Sequence, residues 1–442
     1  MLTRLLLAAT LLAALASAQL NPQRLEAQAQ AYFDAGKFNG TVLVAKDGRP
    51  VLSKGYGMAN FEWNIPNTPD TKFRLGSITK QFTAMAMLLL EQQGKLKMTD
   101  PVCNYVDPCP ATWKPITLHH VVTHTAGIPN FTAFPDYRST MMLNTPPAES
   151  LKKFRDKPLD FDPGTKFNYS NSGFVLLGYI IEKVSGQSYE DYLRKNILAP
   201  LGMSDTGYDH GETVLPKRAA GYEHSKTLVN APIIDMSIPH AAGSLYSTTL
   251  DLMKWDAAQS AGKLLTPENY QRYYTPIKNN YAYGLNVQTK NGVEQISHGG
   301  GINGFATMII RVPSEHLLVV TLSNVLPSSA GKLADDLINL SLGKEVEKPA
   351  KNVEISMTAD KLKQYTGDYE LSPTFILTVT LEDGQLITQA TGQGKIPIFA
   401  KAENVFFPKV MEAELIFEKD ASGNVTGLTL VQGGRRMPAK KR

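Results

Sequence analysis

Residues 79–93 contain neither Pro nor Gly and are rich in Ala, Met and Leu, which predicts a helix; over residues 82–90 that helix is apolar on all sides. A helix apolar all round has to be surrounded by other elements, so the run demands a domain large enough to bury it. Ser77 and Lys80 stand at its start, three residues apart and therefore on one face. The free backbone N–H groups and positive dipole of a helix start favour an oxyanion beside a serine, and a buried Lys gives up its proton more readily than a solvated one. The same four residues also read as a Ser near a helix cap with an exposed Lys one turn on. The rest of the chain has to supply partners before the chemical reading stands.

The chain has 442 residues, 43% hydrophobic and 19% charged, and this globular composition suffices for two or more domains. A net charge of +4 and the lack of an interior basic run argue against a nucleic-acid partner, and Lys440-Lys441-Arg442 reads as a solvated tail. Arg4, an apolar stretch at 5–15 and Ala16-Ser17-Ala18 form the pattern of a cleavable signal peptide over residues 1–18, which implies an exported, periplasmic or secreted protein with no stable membrane span after cleavage. In an oxidising compartment Cys103 and Cys109, close together in a Pro-rich loop, are expected to form a local disulfide. His119, His120 and His124 follow on a short helix capped by Thr117; His120 and His124 are spaced for one helix face, but no third ligand is evident and no metal is expected.

Taken in order, the chain predicts a helix from Asn21-Pro22 to Gly36, a hairpin of 40–46 and 49–56 about Asp47-Gly48, and then the central helix. Residues 130–165 and 204–242 lack a sustained period and read as irregular. Tyr169 and Asn171 sit on a loop ahead of an apolar helix at 174–184; the same residues read as an Asn cap with a half-buried Tyr. Further helices are expected from Ser188 to about 198, at 249–261 and at 330–340, with strands at 281–287, 293–298, 305–312 and 317–324. Between the second and third of those strands, Gly299-Gly300-Gly301 either lets a substrate approach the backbone closely or forms a flexible hairpin.

Ser77-x-x-Lys80, Tyr169-x-Asn171 and His298-x-Gly300, in that order, resemble the three-motif signature of penicillin-recognising serine hydrolases, in the branch of class C β-lactamases, D-alanyl-D-alanine carboxypeptidases, D-aminopeptidases and related carboxylesterases. Phe73-Arg74-Leu75-Gly76-Ser77, Thr123-His124-Thr125-Ala126-Gly127, Pro163-Gly164, Pro200-Leu201-Gly202-Met203 and Gly299-Gly300 extend the resemblance over residues 25–342. It implies an α+β fold: an antiparallel sheet flanked by helices with a helical subdomain, the active site lying between them. It also implies that Ser77 is acylated, that Lys80 and Tyr169 share proton transfer with the Tyr pKa lowered by the ammonium, and that Asn171 orients Lys80 or the substrate. The N–H groups of Ser77 and Gly301 would hold the oxyanion, and no cofactor or metal would be needed. Many β-lactamases and penicillin-binding proteins carry Lys-Thr-Gly where this chain has His298-Gly299-Gly300, which weakens the charge offered to a substrate carboxylate. The resemblance thus points to a small amide or peptide substrate, including D-amino-acid compounds. Carboxylesterase, β-lactamase and non-catalytic envelope sensor stand as alternatives.

After residue 342 a charged linker at 343–352 leads into short strands at 368–371, 375–381, 386–390, 396–400, 405–408, 415–418 and 425–431. This predicts a small antiparallel β-barrel over 353–442. Tyr365-Thr366-Gly367-Asp368-Tyr369 resembles the opening signature of the lipocalin-like domain appended to some members of the same family.

Overall fold

The computed structural model describes residues 20–224, 227–351, 353–409, 413–432 and 435–442. The expected signal peptide lies outside them. Helix α1, Pro22–Asp34, starts where the Asn21 side chain accepts from the N–H groups of Gln23 and Arg24. Strands β1, Gly40–Lys46, and β2, Arg49–Tyr56, follow as the Asp47-Gly48 hairpin, with Asp47 at φ 52° and Gly48 at φ 71°, both in the left-handed region such a turn needs. The central helix α2, Thr79–Gln92, buries twelve consecutive residues from Thr79 to Leu90. Next come α3, Leu118–Val122; α4, Pro147–Arg155; α5, Asn171–Ser185; and α6, Thr249–Ser260, capped by Thr248.

Strands β3, Asn286–Lys290; β4, Val293–Ile302; β5, Phe305–Val312; and β6, Leu317–Ser323, complete an antiparallel sheet of order β3-β4-β5-β6-β1-β2, followed by α7, Ala330–Ser341. The sheet is covered on both faces, which is why β1 and β6 read as nearly continuous apolar runs. Val42 and Val44 pack with Leu25, Ala29, Leu333 and Leu337 of α1 and α7. Leu43 and Ala45 face the other way, into the larger core that holds Phe82, Met85, Phe174 and Trp255. The Phe82 and Trp255 rings stack at 4.2 Å there, pinning α2 against α6.

Several expectations are corrected. Residues 130–165 are not wholly irregular, because α4 uses Pro147 as its first residue, where a missing N–H costs nothing, and buries Leu151 and Phe154. A further helix at Pro267–Tyr274, capped by Thr266, has no counterpart in the sequence reading for the same reason. The strand expected at 281–287 begins only at Asn286; the chain turns before it, with Gly284 at φ 73° against the Lys80 carbonyl, where a Cβ would come within 2.5 Å. The hairpin reading of Gly299–Gly301 fails too, since all three lie within β4, paired with Met308, Thr307 and Ala306. Cys103 and Cys109 are disulfide-bonded.

Beyond α7, strands β7, Gly367–Ser372; β8, Phe375–Glu382; β9, Gln385–Ala390; β10, Ile396–Ala402; β11, Val405–Pro408; β12, Ala413–Lys419; β13, Val425–Gln432; and β14, Arg435–Lys441, form a closed antiparallel barrel. The terminal Lys440-Lys441 is no solvated tail: Lys440 and Lys441 pair with Glu370 and Tyr369, and β14 closes the barrel with Ala439 buried inside. Alternate outward Arg and Lys hid the strand, because the inward residues are the small Ala439 and the half-buried Met437. Tyr365, Tyr369, Phe406 and Phe417 fill the interior, the Tyr369 hydroxyl donating to the Tyr365 carbonyl at 2.8 Å. Among the described residues, no helix is long and apolar enough to cross a membrane.

Candidate active site

Ser77 lies in a single 3-10 turn, Gly76–Ile78, that runs into α2, so Ser77 and Lys80 are set on two joined helical turns rather than one regular helix. Lys80 is completely buried. Its Nζ lies 3.1 Å from Ser77 Oγ, 2.8 Å from Asn171 Oδ1 and 2.8 Å from the Ala242 carbonyl. No carboxylate partners it, and burial holds its pKa well below the usual lysine value.

Asn171 is the first residue of α5. Its N–H donates to Asn130 Oδ1 at 3.1 Å and its Nδ2 to Thr132 Oγ1 at 3.3 Å, so the 129–132 loop fixes the amide with Oδ1 turned to Lys80. Ser172 reinforces that loop, donating to the Pro129 carbonyl and accepting from the Phe131 N–H.

Tyr169 places its ring 4.8 Å from Lys80 Nζ, with its hydroxyl buried near Ser77. Burial drives its pKa up, the reverse of the lowering that the resemblance implied. The polar contact with Ser77 works the other way and is the weaker influence. The ring centre lies 4.2 Å from that of His124, the two planes tilted by 40°. His124 sits beyond the end of α3, at φ 57°, so the expected helix face shared with His120 does not exist. Its Nδ1 accepts from the Ser170 N–H at 3.2 Å and its carbonyl from the Asn168 N–H at 3.0 Å, which shapes the loop that carries Tyr169. His119 meets the Tyr283 hydroxyl and His120 accepts from the Thr117 N–H, so each of the three histidines has a local structural bond. Among the described residues no group of three His, Cys, Asp or Glu side chains is arranged for a metal ion.

His298 is buried on β4, its Nδ1 2.6 Å from the Gly299 carbonyl and its Nε2 3.0 Å from the Tyr281 hydroxyl. The carbonyl requires a donor, so Nδ1 carries the proton and Nε2 accepts from the tyrosine. Burial, then Lys80, push the imidazole down to about 4, and it is neutral at physiological pH. Strand β3 pairs with β4 only as far as Ser297, which leaves residues 298–302 as an open edge beside the Ser77 turn. Gly300 presses against the chain before that turn: a Cβ there would lie 1.9 Å from the Leu75 carbonyl oxygen, which also accepts from Thr307 Oγ1. Gly76, at φ 54°, touches Gly301 in the same way. The Ser77 and Gly301 N–H groups therefore come from segments in direct contact.

Ser77, Lys80, Tyr169, Asn171, His298, Gly300 and Gly301 thus come together in one place, while His119, His120 and the two cysteines do not join them. Ala242 and Tyr281 join them without having been anticipated, since Ala242 acts through a backbone carbonyl and Tyr281 was read as part of a strand; His124, read in the sequence only for metal spacing and as part of a resembling motif, joins them through the Tyr169 loop. Residues 23–343 match the family model described as Beta-lactamase. The chain belongs to the Beta-lactamase family. Residues 351–439 of this family member match a second model, Domain of unknown function (DUF3471), which spans the barrel strands. A penicillin-binding protein of Bacillus subtilis (strain 168) is 27% identical over 409 residues, covering 86% of this chain and 90% of that one. The octameric penicillin-binding protein homologue from Pyrococcus abyssi superimposes with a TM-score of 0.67 at 28% identity, covering 95% and 99% of the two chains. A D-amino acid amidase from Ochrobactrum anthropi SV3 shares the fold, with a TM-score of 0.61 at 24% identity over 72% of this chain and 97% of that one. The protein is a serine hydrolase of the β-lactamase fold, related to penicillin-binding proteins.

Proposed function

We propose that Ser77 is the nucleophile of an exported amidase or small-peptide hydrolase that works through an acyl-enzyme, with Lys80 as the base. The three neighbours of Lys80 Nζ carry this reading. A neutral amine donates two hydrogens and accepts one; Asn171 Oδ1 and the Ala242 carbonyl take the two, and the lone pair faces the Ser77 hydroxyl. The Ser77 proton passes to Lys80 as Oγ bonds to the substrate carbonyl carbon, and the Ser77 and Gly301 N–H groups receive the oxyanion. The bond to the leaving group then breaks, and the leaving group takes up the proton with the neutral Tyr169 hydroxyl as relay. Water, deprotonated by the same base, attacks the ester, and Ser77 Oγ departs with the proton.

The substrate would lie as an added strand along 298–302, with Gly299 and Gly300 offering no side chain in its way. A neutral His298 offers no fixed cation to a substrate carboxylate, which favours amides over D-Ala-D-Ala peptides and β-lactams. The same feature favours a carboxylesterase as the second reading. Purified protein and its Ser77→Ala variant should be compared on D-amino-acid amides, p-nitrophenyl esters, a D-Ala-D-Ala peptide and a chromogenic cephalosporin. The expected outcome is Ser77-dependent turnover of amides at least tenfold better than of the two carboxylate-bearing substrates. Turnover confined to esters would select the second reading, and no turnover without labelling of Ser77 by a serine-directed probe would overturn both.

A further inference from the structure

Behind the segment that holds Lys80 lies a separate cavity of about 210 Å³, lined by Glu182 near the end of α5 and by residues 188–190, 208–212, 235–237 and His240. Five acidic side chains line it and no Lys or Arg does. Three of the five are occupied: Asp209 is ion-paired with Arg74 and Arg218, Glu190 meets His210 at 2.7 Å, and Asp235 Oδ1 accepts from the Ser237 N–H at 2.9 Å and the Ser237 hydroxyl at 2.5 Å. Of the remaining two, Glu182 of α5 has Oε1 accepting the Tyr189 N–H at 3.0 Å and no cation beside it among the described residues.

Facing Glu182 is His240, 3% exposed, with its Nε2 unpartnered. The Tyr208 hydroxyl donates to the Met236 carbonyl at 2.9 Å, so its oxygen is left to accept from His240 Nδ1 at 3.4 Å. That places the proton on Nδ1 and makes Nε2 an acceptor. Nε2 and Glu182 Oε1 are 3.9 Å apart, too far for a hydrogen bond to each other, and burial keeps the imidazole neutral, down at about 3. A buried acceptor, His240 Nε2, thus faces the partly exposed Glu182 carboxylate with no donor between them, and the imidazole nitrogen carries the cost of a buried unsatisfied group. The Tyr189 and Tyr208 rings stand 5.0 and 6.0 Å from the imidazole, aromatic walls that suit an organic cation.

We propose that this cavity is a second binding site of the protein, for a small primary ammonium compound whose N–H groups bridge His240 Nε2 and the Glu182 carboxylate. It is distinct from the catalytic site, although Ala242, two residues from His240, is the carbonyl that Lys80 uses.

The probe is n-butylammonium, titrated calorimetrically at pH 7.5 into the full chain and its Ser77→Ala variant, with n-butanol and butyrate as neutral and anionic controls. Saturable one-to-one binding of equal strength to both proteins is expected, at least tenfold tighter than either control. Glu182→Gln should weaken it at least tenfold, and the charge reversal Glu212→Lys at the cavity wall at least threefold. In the wild type the His240 ring nitrogen signals should shift on titration. No saturable binding, equal affinity for n-butanol, dependence on Ser77, or stationary His240 signals would overturn the proposal. If Glu182→Gln does not fold, Glu212→Lys decides: unchanged affinity there overturns it and weakened affinity supports it.

Discussion

The two β structures of this chain use the same antiparallel pairing to opposite ends. The barrel closes on itself, β14 against β7, and no strand edge remains. The six-stranded sheet stops short: β3 leaves β4 at Ser297, and the five residues beyond it stay open beside the nucleophile. The closed structure fills its interior with four aromatic rings, whereas the open one places glycines where a side chain would collide with the Ser77 turn. Chemistry in this protein belongs to the sheet that is left unfinished.

Substitutions in the two structures should therefore separate activity from stability. The largest effect is expected from Ser77→Ala, which should reduce kcat/KM by roughly a thousandfold or more without lowering the thermal midpoint, since only a hydroxyl is removed. Next comes Gly300→Ala. Its Cβ would meet the Leu75 carbonyl, forcing the edge strand away from Ser77, and kcat/KM should fall roughly a hundredfold. Gly394→Ala in the barrel, where a Cβ meets nothing within 4 Å, should stay within about 0.5 kcal/mol of wild type in denaturant unfolding. Equal losses at the two glycines would break the comparison. Leu428→Ala, fully buried in the barrel, should destabilise the barrel by about 2–5 kcal/mol with kcat/KM unchanged. A smaller effect concerns pH: His298 stays neutral down to about 4 when folded but takes up a proton near 6.5 when unfolded, so stability falls as pH drops from about 6.5 toward 4. His298→Gln should reduce that acid slope in thermal melts by one histidine's share, His124 and His240 keeping theirs, while barrel variants leave it intact.

How far the sequence reached follows the same division. Asp47-Gly48 marked its hairpin and alternation marked β5 to the residue, because turn chemistry and a period of two are local signals. Ser77, Lys80, Tyr169, Asn171, His298, Gly300 and Gly301 were legible as spaced motifs, and the fold brings them together. Ala242 was not, since a backbone carbonyl has no residue type, and neither was the role of His124, whose left-handed backbone off the end of α3 no spacing rule detects. The pKa direction at Tyr169 was misjudged because burial is a property of the assembled core. Strand β14 escaped for a different reason, its outward charges resembling those of a tail.

The place of β1 in the sheet has a kinetic consequence. Gly40 pairs with Ser323, so β1 finds its partner β6 across a separation of roughly three hundred residues, among the slowest contacts a chain of this kind can close. Ser77 lies on one side of that gap and the Gly299–Gly301 edge on the other. A nascent chain can form its first hairpin early, but its all-apolar central helix stays uncovered and it holds no oxyanion pocket until the distant half arrives. Competence to hydrolyse thus waits on that long-range pairing, and a partly folded chain carries Ser77 without the strand edge it works beside.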